Sequence, residues 1–238
     1  MIDLNCDMGE AIGNDELLMP YITSANIACG NHAGDEQTMQ QTILLAKKYK
    51  VNIGAHPSFL DRENFGRTEM KLSPQEVYEL VSQQIIFLQK IAAKNHAALH
   101  HVKPHGALYN MAAKDKVVSK AFVEAVKDCD KNLVLFGLSN SFLISEAKAI
   151  LLKTASEVFA DRTYQDDGGL TPRSQPNALI ENIDEAIQQV LMMVKKGKVK
   201  AVSGKEISIV AETICIHGDG KHAVEFAKAI RNTLLNPP

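Results

Sequence analysis

Ile2-Asp3-Leu4-Asn5-Cys6-Asp7, running on into Met8-Gly9-Glu10, alternates apolar and polar side chains without a break. Successive side chains of a strand point to opposite faces, so Ile2, Leu4 and Cys6 share one face and Asp3, Asn5 and Asp7 the other. The pattern recurs along the chain. Asn52 and His56 align in 51–56 with Gly54 between them; His101, Lys103 and His105 align in 101–105. Glu157 and Asp161 flank Phe159 in 157–161, and Thr213 and His217 flank Cys215 in 213–217. With 24–29 and 133–138, these make seven strand candidates.

Between the strands lie stretches with helical periodicity: 36–49, 74–95, 116–126, 141–152, 183–196 and 221–235. Asp35 suits an N-cap, and Ser73 with Glu76 spells a capping box with Pro74 in the first turn. Parallel strands need crossovers of this length. About seven strand–helix units predict a β/α barrel one unit short of the usual eight, with a doubly wound open sheet as the alternative. Strands covered on both sides by helices are normally apolar throughout. A polar face here means a polar barrel interior, which is costly unless its groups pair or serve a site. An antiparallel sheet with one wet face would alternate too, but the long helical connections argue against it.

The chain has 238 residues, 45% of them hydrophobic, enough for one sizeable core. Its 26 basic and 28 acidic side chains leave a net charge of −2, which gives no reason to expect a nucleic-acid partner. Cys6, Cys29, Cys129 and Cys215 form no CxxC pair and read as reduced thiols, mostly core-packed. The acidic N-terminal sequence does not read as a signal peptide, and no apolar run reaches the ~18 residues of a membrane span. A cytoplasmic protein is expected.

Polar residues gather where the strand candidates end: Asp7 to Glu10, Asn31-His32, His56-Pro57-Ser58, Lys103-Pro104-His105, Asp161-Arg162, and His217-Gly218-Asp219-Gly220-Lys221. In α/β sheets this edge is where sites are built. Each has a bland explanation alone: Asp35 as a cap, Gly9, Gly30, Gly34 and Gly54 as turn residues, Arg67 and Arg173 as surface charges. The convergence of Asp7, His32, His56, His105, Asp161 and His217 predicts an active site. Asp and His serve equally as general acid and base or as metal ligands. Lys103 could meet a phosphate or an oxyanion. There is no HExxH, no GxSxG and no GxxxxGK[ST]. The glycines at 218 and 220 before the last helix are a weak anion-binding signal.

Several long words of this sequence resemble the LamB/YcsF family: DLNCDMGE at 3–10, ANIACGNHAGD at 25–35, IGAHPSF at 53–59 and FGR at 65–67. VKPHGALYN at 102–110, EVFADRTY at 157–164, LTPR at 170–173 and ICIHGDG at 214–220 do so as well. The resemblance spans nearly the whole chain. It implies a distorted seven-stranded β/α barrel of the glycoside hydrolase/deacetylase type, one catalytic domain over 1–238. It further implies the A-subunit role in prokaryotic ATP-dependent 5-oxoprolinase, which cleaves 5-oxoproline to L-glutamate as ATP becomes ADP and phosphate, in a complex with B and C subunits. ATP would be the cofactor, with a divalent metal such as Mg2+, and neither nucleic acid nor membrane is expected as a partner. On that reading Asp7, Lys103, His105 and Asp161 are the expected catalytic residues, Lys103 and His105 meeting the activated carbonyl or phosphate and Asp7 or Asp161 acting as base. Asn5, Glu10, His32, His56, Arg67, Arg173 and His217 are the expected substrate-binding set, with Arg67 or Arg173 as carboxylate clamp. A metal-dependent amide hydrolase or deacetylase, and a non-catalytic substrate-binding subunit, are the alternatives.

Overall fold

The computed structural model describes residues 2–218 and 223–235. Seven parallel strands close into a barrel: β1 (Asp3–Met8), β2 (Ser24–Ala28), β3 (Asn52–His56), β4 (His101–Val102), β5 (Val134–Leu138), β6 (Lys153–Phe159) and β9 (Thr213–Ile216), in that order around the ring. Closure comes from β1, which pairs with β2 on one side (Asp7 opposite Asn26) and β9 on the other (Asn5 opposite Cys215). The open doubly wound sheet and the antiparallel sheet are both excluded. Outside the ring, β7 (Lys198–Lys200) and β8 (Glu206–Ser208) form an antiparallel hairpin.

The helices are α1 (Asp15–Leu18), α2 (Glu36–Tyr49), α3 (Pro74–Lys94), α4 (Gly106–Lys114), α5 (Lys116–Cys129), α6 (Phe142–Ala149), α7 (Ile183–Lys196) and α8 (Ala223–Leu235). Local chemistry sets their starts. The Asp35 carboxylate accepts from the Thr38 backbone N–H, and Ser73 with Glu76 forms the expected capping box, satisfying orphan donors of the first turn. The helices pack on the outward faces of the strands, where Leu4, Cys6, Ile27, Val102, Leu135, Val158 and Ile214 are all buried. Burying each large aliphatic side chain contributes about 1.5–3 kcal/mol.

Four expectations need correction. Asp3 does not reach the site: it closes the opposite, N-terminal end, where Oδ1 accepts from Thr23 Oγ1 (2.6 Å) and Ser24 Oγ (2.7 Å) and Oδ2 from Thr213 Oγ1 (2.5 Å). The fourth strand stops at Val102, since Pro104 has no N–H for a ladder and the chain turns into α4. The sixth strand starts at Lys153 and ends at Phe159, so Asp161 stands in the following loop. Gly54 is no turn residue: it lies mid-strand, and a Cβ there would sit 2.1 Å from His101 Nε2. The last helix was expected from 221; residues 221 and 222, and the anion-binding turn ending at Lys221, lie outside the described residues.

Candidate active site

The C-terminal strand ends surround a cavity of about 510 Å³. Asp7, His56 and Phe159 come from barrel strands and Lys103 and His217 from just past the ends of β4 and β9, while Glu10, Arg67, Arg162 and Arg173 reach it from loops and His105 and Tyr109 from the start of α4.

Lys103 occupies the centre of the barrel mouth and is 2% exposed. Its Nζ lies 2.9 Å from Asp7 Oδ1, 3.0 Å from Glu157 Oε1, 3.2 Å from Asn5 Oδ1 and 3.1 Å from Cys215 Sγ. Four acceptors for three N–H groups leave this ammonium fully engaged inside the protein. Burial works against its charge, but Asp7 and Glu157 outweigh that and hold its pKa well above the usual lysine value. Burial likewise works to raise the Asp7 pKa, and neighbouring His56 and Lys103 prevail, keeping that carboxyl well below the usual range. Lys103 was expected to face a phosphate or an oxyanion, with permanent pairing to an interior carboxylate such as Asp7 or Glu157 as the alternative; it pairs with both.

Asn5 and Asn26 knit this floor together. Asn5 donates to Glu157 Oε1 (3.0 Å) and Thr213 Oγ1 (2.7 Å), and Asn26 donates to Asn5 Oδ1 and Asp7 Oδ1, both at 2.8 Å. Because those two atoms only accept, Asn26 Nδ2 is fixed, and its Oδ1 takes the Nε2–H of His101 at 2.8 Å.

Beside Asp7 lies a histidine cluster. His32 and His105 stack at a 3.8 Å centroid distance, and His56 stands edge-on to both. His56 Nε2 is 2.9 Å from His105 Nδ1 and 3.3 Å from Asp7 Oδ2; Glu10 Oε1 is 3.3 Å from His32 Nε2 and 3.5 Å from His105 Nδ1. Burial pushes the His32 pKa down to about 3 and takes His105 well below the usual histidine value.

On the far wall, Asp161 accepts from the His217 backbone N–H (2.9 Å) and from its Nδ1–H (2.9 Å to Oδ1). Burial would raise the Asp161 pKa; His217 outweighs it and keeps the carboxyl low. Arg162 donates to the carbonyls of Thr171 (2.6 Å) and Ala178 (3.2 Å), fixing the loop that carries Arg173, while burial lowers its own pKa to about 10.

Of the expected site residues, Asp7, Glu10, His56, Arg67, Lys103, His105, Arg173 and His217 line the cavity. Asn5, His32 and Asp161 stand behind that lining, each bonded to a residue in it. Sequence reasoning passed over Asn26, Ser58, Tyr109, Glu157 and Arg162 as site residues. Asn26 carried a signal, since Ser24, Asn26 and Ala28 share one face of β2; Arg162 and Tyr109 had none beyond adjacency to polar motifs.

A family model described as the LamB/YcsF family matches residues 2–237. This chain belongs to the LamB/YcsF family. Among the relatives of this LamB/YcsF chain, the 5-oxoprolinase A subunit of Staphylococcus epidermidis is 54% identical over 239 residues, covering 98% of this chain and 95% of its own length. The 5-oxoprolinase A subunit of Bordetella pertussis is 54% identical over 238 residues, with 98% and 94% covered. Among solved structures, the lactam utilization protein from Thermus thermophilus superposes with a TM-score of 0.92 at 42% identity, covering 98% of this chain and 96% of that one. The fold of this LamB/YcsF chain is therefore shared with that protein over nearly its whole length.

Proposed function

We propose that this chain is the A subunit of an ATP-dependent 5-oxoprolinase, opening the lactam of 5-oxoproline to give L-glutamate with ADP and phosphate, alongside B and C subunits in the cytoplasm. The observation that carries this reading is the 54% identity, over 98% of the chain, to proteins named as the A subunit of 5-oxoprolinase.

The cavity chemistry is in keeping with it. The substrate is small, carries one carboxylate and presents an unreactive amide. Arg67 and Arg173 on the lining suit the carboxylate, one of them as clamp. With Lys114 nearby, they also give the rim the positive charge that ATP and its Mg2+ complex would need, although no glycine-rich phosphate loop is present. ATP would phosphorylate the lactam oxygen; water adding at that carbon would let the ring nitrogen depart as the amine, breaking the C–N bond. A second water would release phosphate from the resulting acyl phosphate to give the carboxylate. Asp161 holds the His217 ring with Nδ1–H toward itself, which leaves Nε2 as the nitrogen able to take a proton from an attacking water. Asp7, the other carboxylate expected to be a base, stays ionised beside Lys103 and is better suited to stabilising positive charge than to accepting a proton. His105, the other residue expected at the activated carbonyl, is on the cavity lining with Nδ1 against His56 Nε2.

The test is glutamate release from 5-oxoproline by the chain combined with its B and C subunits, each omitted in turn, with and without ATP. Release that requires all three and ATP is expected. A metal-dependent amide hydrolase is a second reading, favoured by the histidine cluster; ring opening by this chain alone without ATP would establish it and end the first.

A further inference from the structure

We propose that Glu10, His32, His56 and His105 form a binding site for one divalent first-row transition metal, of which Zn2+ is the representative, opening onto the cavity. The donor atoms of these four residues lie within 4.8 Å of one another. The proposal does not depend on the ATP-driven reading and adds to either reading of the function.

The case rests on where the ring protons are. His56 Nδ1 lies 2.8 Å from the Lys103 carbonyl, and His105 Nε2 lies 2.9 Å from the Phe65 carbonyl. A carbonyl only accepts, so each of these nitrogens carries the hydrogen. The Ser58 hydroxyl donates to the Phe59 carbonyl (2.9 Å), so its oxygen accepts from His32 Nδ1–H at 2.8 Å. What remains of each neutral ring is a lone pair: His32 Nε2, His56 Nε2 and His105 Nδ1.

Those three lone pairs converge on one another and on a carboxylate oxygen. His56 Nε2 and His105 Nδ1 are 2.9 Å apart, and Glu10 Oε1 is 3.3 Å from His32 Nε2 and 3.5 Å from His105 Nδ1. Acceptors at such distances repel unless a cation lies among them. One proton can join only one pair, for instance His56 with His105, and leaves His32 facing Glu10 acceptor to acceptor. One divalent ion meets all four. The spacing suits it as well: ligands about 2.1 Å from a tetrahedral ion stand about 3.4 Å from each other.

The donor set selects the ion class. Three imidazoles and one carboxylate are the ligands of Zn2+, Co2+, Ni2+ or Fe2+ rather than of Mg2+, which prefers oxygen and keeps its waters. Each histidine is already oriented by a bond from its other nitrogen, as metal-bound histidines are. His32 closes the back of the site, whereas Glu10, His56 and His105 line the cavity, so a further ligand position would face substrate or water. Asp7 Oδ2, 3.3 Å from His56 Nε2, adds a second negative charge alongside.

The experiment uses the full chain without a polyhistidine tag, stripped with chelator and dialysed against Zn2+, then against Mg2+, with metal counted by mass spectrometry. About one Zn2+ per chain is expected, retained against excess Mg2+, and lost in His32→Gln and Glu10→Gln. Ser58→Ala, which removes only the support of His32, should weaken zinc binding by about 10–100-fold. A nearby group, Asp7, Cys215 and His217, is the competing location. Cys215→Ser is therefore expected to keep the ion, and a Co2+-loaded chain to show no thiolate charge-transfer band. Failure of the wild-type chain to take up Zn2+, or a thiolate band with loss of the ion in Cys215→Ser, overturns the proposal even if the His32 variant does not fold.

Discussion

At the scale of single residues, the surroundings of Lys103 decide what its loss would do. The ammonium neutralises Asp7 and Glu157, and the latter is fully buried. Removing one partner of a buried charge cluster leaves the others uncompensated, which costs about 3–5 kcal/mol. Lys103→Met should therefore lose that much stability in urea unfolding, and adding Glu157→Gln should return part of it. A variant of unchanged stability but no turnover would instead mean that the ammonium acts on substrate. His101 gives the sign of an acid effect. Burial holds its pKa well below the usual value, so the folded protein keeps it neutral while the unfolded chain protonates it below about pH 6.5. Its contribution is complete above that pH and shrinks as pH falls. The melting temperature should decline from about pH 6.5 toward 5, less steeply in His101→Gln; an equal slope in both proteins would remove His101 as a cause. The sequence disclosed which residues face inward, because period-two alternation is local. It disclosed few of their partners, Asp7 and Glu157 for Lys103 being the pairing it did suggest. Cys215 read as a small apolar filler, yet its sulfur accepts from Lys103 at 3.1 Å, a contact between residues 112 positions apart.

At the scale of elements, capping chemistry and apolar periodicity made α2 and α3 readable almost to the residue, whereas β4, α4 and the β7–β8 hairpin were not. In 101–110 the alternating histidines and lysine suggested a longer strand, and the backbone obeys Pro104 and Gly106 instead; Gly106 takes a φ of 54° and opens α4. Gly54 links two elements. The His101 ring crosses β3 at this point, held by its bond to Asn26 and by stacking on Phe136 at 4.2 Å. Neither the ring nor the strand has room to yield. Gly54→Ala should cost about 1–3 kcal/mol through overpacking. In a His101→Ala background the same change should cost far less, and a thermal-denaturation cycle in which the two losses simply add would refute the steric account.

At the scale of the whole molecule, strand count and the run of helical crossovers identified a seven-unit barrel, because parallel neighbours and long connections leave few topologies. Which end each polar residue occupies was only partly legible, as Asp3 and Asp7 look alike in sequence and lie at opposite mouths. Closure of that ring has a bearing on the order of events during synthesis. β1 leaves the ribosome before the other six strands of the ring, and its second neighbour, β9, after them; the bond from Thr213 to Asp3 spans 210 positions. Until β9 emerges, Asp3 and Asn5 each lack the Thr213 hydroxyl, and one edge of β1 stays open. A nascent chain stalled before residue 213 should stay sensitive to protease within β1 and α1, with protection arriving once 213–216 clears the exit tunnel. Early protection would mean that β1 is sheltered by something other than its seam. Translation, on this account, leaves the polar interior wet until the seventh strand of the ring is made, and a chaperone's most useful moment is the interval just before that strand appears.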